Sequence, residues 1–277
     1  MRRSNEGSSL SDECIHGFEV GMCASCYPKP VAEADAKPVR VARTREPARP
    51  ALRSSPNRSA PATAKQKAVD VGELRIYHVT HINNLAGILA TGSLLADTSD
   101  AWVERPAVDI SRPELREARR AAHASETGVV ADYVPFFVSP NSTLWTAIRA
   151  NDLSEPRLAP EARELPANEF IVLVSTVGTA GRDRVVVTNG DATGIVTRFT
   201  ATPDQAEAQL RKLQGDDQSL AEAELLVHDS FPFESVTLIG VANDKVRNEV
   251  RDQLAAAGHS PKLSIYPPWF QVPALTV

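Results

Sequence analysis

Every cysteine of the 277-residue chain lies within thirteen residues, as Cys14-Ile15-His16 and Cys23-Ala24-Ser25-Cys26. The spacing C-x-H-x6-C-x2-C offers three thiolates and one imidazole, the ligand set of a tetrahedral Cys3His zinc site. A segment this short buries no core, so a metal would supply its folding energy. The alternative is three incidental cysteines beside a solvated His16. Three cysteines make no disulfide framework, and no βαβ pattern surrounds the C-x-x-C, which argues against a redox pair.

Three further places carry reactive groups. Tyr77-His78-Val79-Thr80-His81 sets two histidines three apart where a strand passes into a helix. A single histidine is usually structural, but polar clusters at strand ends often face pockets. Arg119-Arg120 lies on a polar helix and by itself reads as a solvated face. Glu224 opens the apolar run Glu224-Leu-Leu-Val227. By alternation it shares a face with Leu226, while Leu225 and Val227 point the other way. A carboxylate so placed is either at a sheet edge or in a site.

The elements that must hold these groups follow from periodicity. Leu74–Val79 alternates and reads as a strand. Leu85, Ile88 and Leu89 then recur at helical spacing until Gly92, with Thr80 or Asn83 as cap. Residues 113–124 read as a polar helix with Pro113 in its first turn. Residues 132–138 read as a strand whose internal proline predicts an edge or a bulge. A short helix spans 144–150. Residues 170–177 are a continuous apolar run, the mark of a buried strand, and 184–188 a further strand. Pro203–Leu213 is a helix, 224–227 and 235–241 are strands, 243–257 is a helix closed by Gly258, and 263–265 is a last strand. Short strands mixed with short helices, without βαβ rhythm, predict an α+β fold. No internal repeat, G-x-G-x-x-G or P-loop is present.

Charge divides the chain. The net of −5 combines −2 over residues 1–27, +6 over 28–72 (ten Lys/Arg against four Asp/Glu) and −9 over 73–277. Residues 28–72 hold seven prolines, ten alanines and no aromatic residue, a composition expected to be disordered. Its spaced arginines suit either attraction to a nucleic-acid backbone or a plain solvated tether. The organisation expected is a head at 1–27, a basic linker at 28–72 and an acidic body at 73–277. No apolar run reaches 18 residues, so no transmembrane helix is expected. The N-terminal residues lack an apolar secretion core, and cytoplasmic residence is the expectation.

The body resembles a family. Ile76-Tyr-His-Val-Thr-His-Ile-Asn-Asn-Leu85, Gly87-Ile-Leu89 and Gly92-Ser-Leu-Leu-Ala96 look like the opening of the DarT DNA ADP-ribosyltransferase toxins. Asp132-Tyr-Val-Pro-Phe-Phe-Val-Ser-Pro140 is similar to the family's D-Y-V-P-F-Y-F-x-P-R-S-P-M. Val187–Ala192 resembles its T-D-G-N-A, Ala223–Val227 its A-E-x-L-V, and Trp269-Phe270 its aromatic close. These motifs run in family order over residues 73–272. This chain departs at Asn141, where the family has Arg, and at Thr143-Leu-Trp145, where it has Pro-Met-Leu. The cysteine head lies outside the family domain.

The resemblance implies an ADP-ribosyltransferase-like split mixed β-sheet with surrounding helices and NAD as co-substrate in a cleft. It implies that His78, Val79 and Thr80 hold NAD at the end of the first strand, with Gly87 and Leu95 as further contacts. It makes Arg119, on an NAD-binding element around 102–125, the essential arginine and Glu224 the catalytic glutamate. Residues 178–224 would bind the acceptor, a thymine or guanine in single-stranded DNA, and the expected partner is a DarG-like macrodomain antitoxin. It also casts Arg119 as proton acceptor; a guanidinium pKa above about 12 favours charge stabilisation instead. Two other functions stand beside this one. The same fold can act on RNA or protein or hydrolyse NAD, or the chain is a non-enzymatic zinc-headed nucleic-acid-binding protein.

Overall fold

The chain's longest continuous apolar run, Phe170–Val174, forms an interior strand of a sheet. The computed structural model describes residues 69–126 and 128–272. All of them lie within the second of two units, Met1–Ala62 and Thr63–Val277. The Cys/His head and the expected linker up to residue 68 are outside the described residues. Regular structure starts earlier than the expected boundary at 73. Asp70 caps a 3-10 turn at Val71–Glu73 by accepting the Gly72 N–H, and Val71 is buried in the core.

In chain order the strands are β1 (Arg75–His81), β2 (Ser93–Leu95), β3 (Tyr133–Phe137), β4 (Phe170–Thr176), β5 (Val185–Val187), β6 (Glu224–His228), β7 (Ser230–Pro232), β8 (Leu238–Val241) and β9 (Lys262–Ile265). The helices are α1 (Leu85–Thr91), α2 (Pro113–Ala121), α3 (Thr143–Ala150), α4 (Val177–Ala180), α5 (Pro203–Leu213), α6 (Asp217–Glu222) and α7 (Asp244–Ala257). Seven strands form one sheet in the order β5-β6-β3-β1-β4-β8-β9. Only β8–β9 is parallel, so the sheet is mixed and the fold is α+β, as expected. β2 and β7 pair separately, a small sheet that periodicity over three residues does not reveal.

Alternation assigns the two faces. Ile76, Ile171, Leu173, Leu225 and Val227 face the larger core with Leu85, Leu210 and Val250 of the helices. Tyr77, Phe170, Val172 and Val174 face the second, with Trp145, Ile148 and Phe270. Leu226 and Val186 join Ala192 in a third cluster. Helix ends obey their local signals. Gly92 and Gly258 close α1 and α7 in the left-handed region, at φ 68° and 75°, where a residue without Cβ is least strained.

Two local expectations change. The cap at the end of β1 is neither Thr80 nor Asn83: His81 Nδ1 accepts the Asn83 N–H at 3.2 Å. The strand containing Pro135 is not at an edge, since β3 lies between β1 and β6. Its proline is tolerated because β1 and β3 register at a single pair, Tyr77–Phe137, whereas β1 and β4 register over seven. At Pro135 the ladder toward β1 has opened, so no N–H is missed there.

Candidate active site

The opening between β1 and β3 is where the site lies. The cleft holds about 1150 Å3 of empty space, counting the part open to solvent. His78, Val79 and Thr80 line it from β1, Pro135 and Phe137 from β3, Arg119 from α2 and Glu224 from β6.

His78 replaces the missing backbone bond: its Nδ1 lies 2.9 Å from the Pro135 carbonyl oxygen. A carbonyl only accepts, so Nδ1 carries the proton and Nε2 is left as an acceptor. Burial pushes the imidazole pKa below its ordinary value, against the opposing pull of that carbonyl. The ring is therefore neutral at pH 7. His81 does different work. It caps the 3-10 turn at Ile82–Asn84, and its Nε2 lies 3.4 Å from Glu169. Thr80 Oγ1 accepts from Asn84 Nδ2 at 3.1 Å, and Asn84 clasps the backbone N–H and carbonyl of Val108, each at 2.8 Å. One asparagine thus fastens the 102–112 loop across the strand end.

That loop leads into α2. Pro113 starts the helix and Arg119 stands in its last turn. Arg119 and Arg120 part company there. Arg120 is exposed and paired with Asp97 and Glu117. Arg119 turns inward and its Nη1 donates to Glu224 Oε2 at 3.1 Å. Its Nη2 is buried without a hydrogen-bond partner among the described residues.

Glu224 is 7% exposed. Its Oε1 accepts the Ala192 N–H at 3.0 Å. Its own N–H donates to Thr188 Oγ1 at 2.8 Å, and its carbonyl accepts the Thr188 N–H at 2.9 Å. The carboxylate is thus held from both sides, by a helix side chain and by a loop backbone. Asp191, one residue before Ala192, also lines the cleft and pairs with Arg157 at 2.7 Å. Burial pulls the Asp191 carboxyl up, but hydrogen bonds from Thr193 and Arg157 outweigh it and hold it below the usual range.

The structure does not bring Gly87 and Leu95 to this cleft. Gly87 is on the exposed side of α1, and Leu95 pairs with Ser230 in the two-stranded sheet. Asn84, Thr188 and Asp191 lie within the family-like motifs but carried no individual role in the sequence. Arg157 had no signal at all, because its partner Asp191 is 34 residues further along the chain. Arg149 is a further surprise. Buried on α3, it donates to Asn141 Oδ1 from both Nη atoms at 3.2 Å and to the Trp269 carbonyl. Desolvation pushes its pKa down to about 10. A guanidinium therefore does support the turn where Asn141 departs from the family pattern, but it comes from eight residues on.

Solved structures share this fold. Thermus sp. 2.9 DarT in complex with ADP-ribosylated ssDNA is 27% identical with a TM-score of 0.59, over 71% of this chain and 96% of that one. Thermus sp. 2.9 DarT in complex with NAD+ is 25% identical with a TM-score of 0.58, over 74% and 100%. Among curated relatives, the DNA ADP-ribosyl transferase of Thermus sp. (strain 2.9) is 28% identical over 70% of this chain and 95% of its own. That of Thermus aquaticus is 26% identical over 70% and 88%. The class is therefore that of DNA ADP-ribosyltransferases. Residues 77–271 match the model of one family, the ssDNA thymidine ADP-ribosyltransferase DarT, and the chain belongs to it.

Proposed function

We propose that the chain transfers ADP-ribose from NAD to a ring nitrogen of thymine in single-stranded DNA, with release of nicotinamide and of that nitrogen's proton to solvent, and that Arg119 and Glu224 carry the reaction. The observation behind this is the buried Arg119–Glu224 pair in a cleft that also presents the neutral His78. The residues fit NAD: a buried guanidinium nitrogen lacks a partner, an imidazole acceptor is free, and the cleft is large enough for a nucleotide. NAD brings an ADP-ribosyl group on a cationic nicotinamide, and breaking that bond develops positive charge at the anomeric carbon. Glu224 faces that charge and stabilises it. His78 Nε2 accepts from a ribose hydroxyl. Arg119 keeps Nη1 on Glu224 and offers Nη2 to a phosphate oxygen. Thr80 and Val79 form the apolar and hydroxyl wall beside them.

The acceptor enters past the 189–199 loop, within the expected acceptor region 178–224. A base in a duplex hides its Watson–Crick edge, which explains a preference for single strands. Guanine is the alternative acceptor base. The test is incubation with NAD and single-stranded oligonucleotides of each composition, with mass mapping of the product. A mass gain on thymine that is absent in Glu224→Ala is expected. Labelling of RNA or protein, or free ADP-ribose alone, overturns the DNA assignment.

Three further parts belong to this reading. Cys14, His16, Cys23 and Cys26 bind one structural zinc, on the strength of their spacing; metal analysis of the full chain should return one zinc, lost in Cys23→Ser/Cys26→Ser. The partner is a DarG-like macrodomain antitoxin, expected to restore growth when co-expressed. The setting is cytoplasmic; no helix among the described residues is long and apolar enough to cross a membrane.

A further inference from the structure

Glu224 is held on one side by a backbone N–H, and such a donor is only as well placed as its loop. That loop is pinned at Asp191. Asp191 Oδ1 accepts the N–H and the hydroxyl of Thr193, at 2.7 and 2.5 Å. Its carbonyl accepts from Thr197 Oγ1 at 2.5 Å and from the Gly194 N–H at 2.9 Å. Those bonds shape the loop but do not tie it to the rest of the protein. Arg157 does. It comes from a segment 34 residues earlier, and its Nη1 donates to Asp191 Oδ2 at 2.7 Å. Arg157 is itself locked by Glu155, with Nε to Oε1 at 2.7 Å and Nη2 to Oε2 at 2.9 Å. Glu155 is buried, and Arg157 is largely so.

We propose that Arg157 is a positioning residue for ADP-ribose transfer, acting on Glu224 through Asp191 and the N–H of Ala192. The chain of contacts is continuous: Glu155 aligns Arg157, Arg157 fixes Asp191, and the next peptide donates to the Glu224 carboxylate at 3.0 Å. Desolvated ion networks add little net stability, so their value at a cleft lies in holding geometry. A carboxylate displaced by a fraction of an ångström faces the developing charge less well, and a shift of about 1 Å costs up to about 100-fold in rate.

This rests on Glu224 acting in transfer as proposed above. The test is steady-state kinetics of the full chain with NAD and a single-stranded oligonucleotide. The variants are Arg157→Gln, Arg157→Lys and Asp191→Asn, with Arg157→Gln repeated in a Glu224→Asp background. Arg157→Gln is expected to lower kcat by about tenfold to 100-fold, with the KM for NAD changed far less. Arg157→Lys should recover part of the loss, and Asp191→Asn should reproduce it. In the Glu224→Asp background, whose shorter carboxylate no longer reaches the Ala192 N–H, Arg157→Gln should cost little more. The proposal is overturned by an unchanged kcat per folded molecule, by a loss confined to KM, or by the same fold-loss in both backgrounds. A wild-type chain inactive on every acceptor would instead end the reading of the function.

Discussion

At the scale of single residues, the site depends on where protons and charges are held. Glu224 and Arg119 are paired at 3.1 Å and mostly shielded from water. Glu224→Gln keeps the size and the Ala192 contact but loses the charge. It should lower the transfer rate by at least about 100-fold, measured as labelled oligonucleotide, while NAD binding by calorimetry persists. His78 carries a pH dependence. Its pKa lies below the ordinary 6.5 because burial disfavours the charged ring. The unfolded chain takes up that proton as pH falls below about 6.5, and the folded chain resists until lower pH. The stability His78 contributes is therefore full above about 6.5 and is lost as pH falls from there toward its depressed value. Asp152, Glu155, Asp191 and Asp216 are all lowered from 3.8 or 4.5 and stay out of this window. The drop in Tm between about pH 7.5 and pH 5.5 should shrink in His78→Gln, which also donates to Pro135 but does not titrate. Equal drops in both proteins would remove His78 as the cause.

At the scale of elements, one proline sets the cleft. Pro135 removes a ladder donor from an internal strand, and β1 and β3 part beside it. Of the edge or bulge that the proline predicts, the edge does not occur, because a proline states that an N–H is absent and not which neighbour does without it. Where β8 meets the C-terminal turn the packing is close. A Cβ on Gly240 of β8 would lie 2.7 Å from the Trp269 ring, whose carbonyl also accepts from Trp145 Nε1 and Arg149. Gly240→Ala should destabilise by about 1–3 kcal/mol, read as a lower denaturant midpoint with unchanged slope. The 189–199 loop is tied by a Thr188–Phe199 bridge and by Asn189–Arg198 bonds. Yet Ile195 and Val196 stand out from it, at 103% and 87% exposure. On the reading that the acceptor enters past this loop, these exposed apolar side chains would meet its base. Ile195→Ser/Val196→Ser should raise the KM for oligonucleotide several-fold and leave the KM for NAD unchanged; the reverse pattern would reassign the loop.

At the scale of the whole molecule, charge is the problem. The acidic body would repel DNA, while residues 28–72 carry a net of +6. Single-stranded affinity falls with salt in proportion to the phosphates neutralised, by about 0.7 log unit per contact per log unit of salt. Removing residues 1–67 should weaken oligonucleotide binding at low salt and flatten its salt dependence, measured by fluorescence anisotropy. An unchanged slope would make the basic stretch a tether only. The deletion stops at 67 because Val71 is part of the core and Asp70 caps its turn.

The sequence by itself determined what neighbouring residues decide among themselves. The continuous run at Phe170–Thr176 had to be buried, Pro203 had to open a helix, and Gly92 and Gly258 had to end theirs, since these follow from period and from φ. Alternation also separated Glu224 and Leu226 from Leu225 and Val227, as the clusters show. Family resemblance marked Arg119 and Glu224, but not how they meet. Only the tertiary structure decided that Arg119 turns inward while Arg120 does not, that His78 bonds Pro135, and that Arg157 grips Asp191. These partners are 105, 57 and 34 residues apart. Strand register sets His78, Pro135 and Glu224, since a one-residue slip turns a strand's side chains to the opposite face. Arg119 on α2 and the loop residues Arg157 and Asp191, by contrast, meet their partners only once helix and loops pack on the sheet.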